Sequence, residues 1–209
     1  MQSIINRILI SVSIILFFQI KAFGLIEVDI TRGNLNPLPL AVSPLSIDEK
    51  SRKSFESLLK KNNIGEEISS IVENNLKTSG LFNPLNKDAF LQAPDIANLK
   101  PRFEDWNLIK AQALITGKVT NVDDKLRVEF RLWDVLAGKE MMALAFTTVP
   151  TNWRRVGHII SDKVYERLTG EKGYFDTRII YVAEEGPKTN RIKKLAIMDQ
   201  DGANNKFLT

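Results

Sequence analysis

Residues 113–149 read ALITGKVTNVDDKLRVEFRLWDVLAGKEMMALAFTTV. Within them Leu126, Val128, Phe130 and Leu132 alternate with Arg127, Glu129 and Arg131, the period of a strand with one buried and one solvated face. The turn-forming pieces Asp123-Asp124 and Leu136-Ala137-Gly138 divide the stretch into Ala113 to Val122, Lys125 to Val135 and Glu140 to Val149. These are three successive antiparallel strands. Their apolar face requires a covering layer.

The flanking sequence supplies it. Upstream, Ile64, Ile68, Ile71, Val72 and Leu76 recur at the spacing of an amphipathic helix, and Gly80 stands where a left-handed C′ residue is expected. Downstream, Trp153, Val156, Ile160, Val164 and Leu168 form a second stripe on a helix from about Asn152 to Leu168, with Thr151 or Asn152 as N-cap after Pro150. Leu38 to Leu45 reads as a buried strand and Leu81 to Leu85 as a strand broken by Pro84. The charged stretch Ser46 to Asn63, Leu58 and Leu59 aside, reads as a surface helix or loop. Asp95 to Pro101 reads as loop, and Glu104 to Lys110 as a short helix around Trp106. The expectation for residues 38–168 is one α+β domain, two helices packed on a mixed, mostly antiparallel sheet in two layers.

Thr169 to Gly173 is a linker. Beyond it Tyr174 to Val182 and Ile192 to Met198 read as strands, with Phe175, Ile179 and Tyr181 alternating against Asp176 and Arg178, and the turn Asp199-Gln200-Asp201-Gly202 following. Repeated hairpins of this kind build β-propeller blades, and a lone pair of strands is marginal in water. Residues 169–209 are therefore expected to be a linker and the first strands of an incomplete β-propeller.

Toward the N-terminus, Arg7, the uncharged apolar run Ile8 to Phe18 and the small-x-small site Ala22-Phe23-Gly24 describe a secretory signal peptide, residues 1–24. The run is shorter than the roughly 20 residues a membrane span requires, so no span is expected after cleavage. Leu25 then becomes the first mature residue. From Leu25 to Asn34, Ile26, Val28 and Ile30 alternate with Glu27, Asp29 and Thr31, and Gly33, Pro37 and Pro39 separate this leader from the domain. Residues 25–37 are read as a partner-binding strand and its hinge, the alternative being an edge strand of the chain's own domain. An extended segment with free backbone groups can add itself to a sheet edge of another protein.

Composition narrows the chemistry. Of 209 residues none is cysteine and one is histidine, which excludes disulfides, thiolate sites and histidine-rich metal sites. The formal charge of +4 falls by two when Arg7 and Lys21 leave with the signal. The densest basic pairs, Lys60-Lys61 and Arg154-Arg155, belong to solvated helix faces, so nucleic acid is not an expected partner. Gly-rich phosphate loops are absent and no cofactor is expected. One catalytic alternative exists. His158, Ser161 and Asp162 lie at i, i+3 and i+4 of one helix, the minimal residue set of a small hydrolase. Against it, Ser161 has no Gly-x-Ser-x-Gly elbow and no oxyanion donors. Hydrogen bonding of His158 and Asp162 to one another, or to the linker where the helix meets the hairpin strands, is the simpler reading.

Trp153-Arg154-Arg155, His158, Asp162, Leu168-Thr169-Gly170, Gly173-x-Phe175 and Met198-Asp199-x-Asp201-Gly202-x-Asn204 together resemble the TolB family of periplasmic proteins. Pro39-Leu40-Ala41-Val42-x-Pro44 and Ser79-Gly80-x-Phe82 fit the same family. The resemblance implies a non-enzymatic scaffold of the Tol-Pal envelope system in the periplasm, with a small α/β domain followed by a six-bladed propeller. It implies binding of TolA through the N-terminal strand and of the lipoprotein Pal through the propeller, in support of outer-membrane integrity and constriction at division. Carried over by position, the TolA-binding residues are Ile26, Glu27, Val28, Asp29, Ile30, Thr31, Arg32 and Gly33. His158, Asp162, Gly170, Gly173 and Phe175 take interdomain places. The sequence departs from the family where it ends inside the first blade, which puts Pal binding in question, and in a longer charged stretch from Asp48 to Asn62.

Overall fold

The alternation in residues 113–149 becomes the centre of the molecule. β4 (Ala113–Val122), β5 (Lys125–Asp134) and β6 (Lys139–Thr148) form an antiparallel meander, with Val128 opposite Val119 on one side and Phe146 on the other. Both hairpin turns need left-handed backbone, which Asp123, Asp124 and Gly138 adopt. The structure, a computed structural model, describes residue 26 and residues 36–209. The export signal and most of the leader lie outside the described residues.

Two shorter strands, β1 (Leu38–Val42) and β3 (Phe82–Pro84), extend the sheet in the order β3-β1-β4-β5-β6. β1 runs parallel to both β3 and β4, so the sheet is mixed. The two-residue β2 (Ser46–Ile47) lies along β4. Gly117 of β4 is required by close approach: a Cβ there would stand 2.3 Å from the Glu129 carbonyl and 2.7 Å from Leu45 Cδ2.

Both predicted stripes are buried. In α2 (Ile64–Thr78) Ile64, Ile68, Ile71, Val72 and Leu76 face the sheet. In α5 (Trp153–Thr169) so do Trp153, Val156, Ile160, Val164 and Leu168. The two helices approach closely enough that a Cβ on Gly157 would meet Ile71 Cγ2 at 2.9 Å. Gly80 takes its expected left-handed conformation, φ +75°. The α+β class with two helices on a mixed, mostly antiparallel sheet stands.

Several local expectations change. The charged stretch holds α1 (Glu49–Leu59), and this helix is not purely a surface element, because Phe55 is 1% exposed within the main core. Residues read as loop form α3 (Pro94–Leu99), a single turn and a half started by Pro94 at its first position. With α4 (Phe103–Leu108) it covers the far face of the sheet. There Ala97 and Trp106 pack on Ala41, Leu114 and Val135 as a second, smaller core, so two layers become a partial three. Trp106 Nε1 donates to Gln92 Oε1 at 2.8 Å, which settles its one polar atom.

The C-terminal strands are β7 (Arg178–Glu185), β8 (Ile192–Asp199) and β9 (Lys206–Phe207), antiparallel in that order. β7 begins four residues later than the alternation suggested. Tyr174 and Phe175 belong to the joint, where burial of Phe175 against α5 outweighs strand pairing. Among the described residues no helix is long and apolar enough to cross a membrane.

Candidate functional site

α5 carries two faces with different work. Its apolar stripe holds the sheet, and His158, Ser161 and Asp162 stand off that stripe toward α2 and the joint. Gly170 ends the helix in the left-handed region at φ +77°, its N–H donating to the Glu166 carbonyl. The chain then doubles back along the helix. Asp162 receives it, accepting the backbone N–H of Phe175 at 2.6 Å and of Asp176 at 3.1 Å. Gly173 passes so near that a Cβ would lie 2.4 Å from Asp162 Cα.

Phe175 is fully buried, its ring 5.8 Å from that of Tyr165 and 4.6 Å from that of Tyr174. Burial, reinforced by Tyr174 and Glu171, raises the Tyr165 hydroxyl above its ordinary value of 10.0, so it stays neutral. Arg155 grips Asp176 through both Nε and Nη2, each about 3.1 Å from a carboxylate oxygen. That hydrogen-bonded carboxylate, and then its charge, raises the guanidinium pKa further. Arg154 pairs with Asp201 in the β8–β9 turn. A cleft of about 440 Å³ runs along this joint, with Arg154, Arg155, His158, Asp176, Arg178 and Asp199 among its walls.

His158 is 3% exposed. Its Nδ1 stands 2.9 Å from Asn75 Nδ2 of α2, which also donates to Ser161 Oγ at 3.0 Å. An acceptor Nδ1 places the proton of the neutral ring on Nε2, and Nε2 lies 3.8 Å from Asp201 Oδ2. Of the two expected arrangements the His158–Asp162 contact does not form: His158 turns to α2 and to the hairpin turn, while Asp162 bonds the chain just beyond the linker. Ser161 donates to the Gly157 carbonyl at 2.9 Å. Among the described residues neither a Ser161–His158 nor a His158–Asp162 hydrogen bond forms, so the minimal hydrolase set is not assembled.

His158, Asp199 and Asp201 bring one ligand atom each within 4.8 Å of one another, a spacing that invites a cation. The donor chemistry argues otherwise. An N–H rather than a lone pair points from His158, Arg154 occupies Asp201, and Asn204 donates to Asp199. The cluster works as a clamp between helix and hairpin. One of its members, Asn75, escaped sequence reasoning, and Asp201 was read there only as part of a turn and a motif. Asn75 left one signal, a polar side chain set between Val72 and Leu76 on a buried stripe.

The leader has one described residue. The Ile26 side chain packs against the main core, and its N–H donates to Asp134 Oδ2 at 3.3 Å. Glu27, Val28, Asp29, Ile30, Thr31, Arg32 and Gly33 lie outside the described residues.

A family described as the TolB amino-terminal domain matches residues 26–141. The Tol-Pal system protein TolB of Pelagibacter ubique (strain HTCC1062) is 82% identical over 194 residues, covering 93% of this chain and 44% of that relative. The crystal structure of TolB from Acinetobacter baumannii aligns with a TM-score of 0.67 at 24% identity, over 83% of this chain and 38% of that one, a likeness of fold. The chain spans less than half the length of either relative. With more than half of its residues matched by the family description, this chain belongs to the TolB family.

Proposed function

We propose that the chain is a non-enzymatic adaptor of the Tol-Pal system in the periplasm, recruiting TolA through the leader strand Ile26 to Gly33. One observation carries this reading: 82% identity to a protein whose name places it in the Tol-Pal system. The leader's period-two alternation supports the mode. Main-chain hydrogen bonds to an exposed sheet edge would provide most of the affinity, and pockets for Ile26, Val28 and Ile30 would set register. Residues 38–168 act as the domain that carries the leader, and residues 169–209 as linker and opening propeller strands on the side where Pal binds. The clamp from α5 to β8–β9 joins the two.

The test is capture of TolA's periplasmic domain by the mature chain, with and without residues 25–34. Loss of capture on deletion is the expected result; equal capture sinks the reading. The hydrolase alternative predicts that His158→Ala abolishes a measurable ester or peptide hydrolysis. The separate engagements of Ser161 and Asp162 favour no effect.

A further inference from the structure

Among the described residues the main sheet has two edges of different character. β3 is three residues long and ends in Pro84, features that discourage pairing with another chain. β6, at the opposite edge, is ten residues long, and from Met141 to Val149 the sequence carries neither charge nor proline. Its Lys139 end is closed: the register with β5 shifts at Leu132 and Trp133, and Arg167 Nε donates to the Met141 carbonyl at 3.4 Å. Beyond that point Ala143, Leu144, Ala145 and Thr147 are exposed.

Met142, Leu144 and Phe146 stand opposite Leu132, Phe130 and Val128, and so share the face of the main core. Met142 and Phe146 pack against that core, while Leu144 is 38% exposed. From either end Met142-Ala143-Leu144-Ala145-Phe146 runs large, small, large, small, large. A two-fold interface must be self-complementary, and this pattern is. We infer that β6 pairs with the β6 of a second copy of this chain, antiparallel about an axis through Leu144, so that two sheets become one. Met142 then faces Phe146 and Leu144 faces its own copy on the core side, and Ala143 faces Ala145 on the other. The nearest charge, Glu140, falls at the end of the pairing toward Thr148, so no like charges oppose one another. A single strand pair buries less than the roughly 1,600 Å² of a standard interface, which makes the dimer weak, with a Kd above about 1 µM.

The experiment uses the whole chain from residue 25 onward. Sedimentation equilibrium up to about 1 mM is expected to show a monomer–dimer equilibrium, which Leu144→Lys abolishes by setting two ammonium groups face to face. The chain has no cysteine, so Leu144→Cys reports its own copy. Directly opposed Cβ atoms lie about 4.5–5.5 Å apart, near the span of a disulfide. Mild oxidation is expected to link Leu144→Cys into a dimer and to leave Leu58→Cys, on the more exposed α1 position, unlinked. A parent that stays monomeric, or Leu144→Cys linking no faster than Leu58→Cys, overturns the inference. So does a dimer that survives Leu144→Lys, the sign of association through exposed hairpin side chains such as Ile180 and Val182. A dimer lost on deletion of residues 25–34 assigns the contact to the leader and overturns it too. TolA capture is a separate readout, so failure of the proposed function leaves this result untouched.

Discussion

The Asp162 carboxylate accepts the Phe175 N–H at 2.6 Å across the joint between α5 and the hairpin strands. With the second bond to Asp176, one helix side chain satisfies two consecutive amides of a linker that makes no ladder of its own. Hydrogen bonds to a charged acceptor contribute about 1.5–3 kcal/mol each at burial, and Asp162 is only half-buried. Asp162→Ala is expected to cost about 2 kcal/mol in denaturant unfolding and to speed hydrogen exchange at Phe175 and Asp176 first. Unchanged exchange at those two amides would show that the linker is held by packing of Phe175 alone.

Gly170 and Gly173 make opposite predictions from one short stretch. An added Cβ at Gly170 meets nothing within 4 Å, and its burden is backbone strain at φ +77°, about 1 kcal/mol for alanine. At Gly173 the Cβ meets the Cα and Oδ1 of Asp162 at 2.4 Å, atoms fixed by the helix. Gly173→Ala is expected to destabilise more than Gly170→Ala, by about 1–3 kcal/mol of forced displacement, and to break the Asp162 bonds as well. Parallel urea melts of the two variants check the order.

What sequence alone made legible followed periodicity. Ile64 to Leu76 and Trp153 to Leu168 repeat along helices whose buried faces are those stripes, and Val128 with its neighbours gave the central strand. Four things stayed hidden because they depend on distant partners. Phe55 sits in a stretch read as charged apart from Leu58 and Leu59, and only packing beneath α1 shows it as core. Asp95 to Leu99 read as loop, and the helical turn they form lays Ala97 on Ala41 and Leu114. His158 and Asp162 stand four residues apart and could touch, yet His158 bonds Asn75, 83 residues away. The alternation of Phe175 with Ile179 imitated a strand, although Phe175 is a core residue of the joint.

Phe55 gives the sharpest test of the charged stretch. At 1% exposure its truncation removes a ring and leaves a cavity, for which about 3–5 kcal/mol is typical. Leu58 on the same helix is 58% exposed, and Leu58→Ala should stay within about 0.5 kcal/mol. Thermal melts that rank the two the other way would show that α1 is a loosely held surface helix.

Acid should loosen the start of α1. Asp48 caps it by accepting the Ser51 N–H at 2.9 Å, and that bond is the main reason its pKa lies below the ordinary 3.8. The Ser51 hydroxyl donates to the same carboxylate and accepts the Asn121 N–H of β4, each at 2.8 Å, so the cap also ties helix to sheet. A carboxyl whose folded pKa is depressed stabilises fully above its unfolded value and loses that contribution as pH falls through the folded one. Asp48→Ala is expected to cost about 1 kcal/mol near neutrality, and the difference from the parent should shrink as pH falls below the ordinary 3.8 and through the depressed folded value. A difference that persists in acid would assign the cost to Ser51 repacking.

Asn75 tests how the two helices are joined. It is 2% exposed and serves both His158 Nδ1 and Ser161 Oγ across the α2–α5 seam. Asn75→Leu keeps bulk but leaves a buried ring nitrogen without its donor, a loss of about 1–3 kcal/mol. Replacing His158 by Phe in the same protein removes the orphaned atom, so the double variant should be more stable than the sum of the single losses predicts. Additive losses in the four-protein cycle would mean that the Asn75–His158 bond carries no coupling and that apolar packing, Gly157 against Ile71 included, holds the seam.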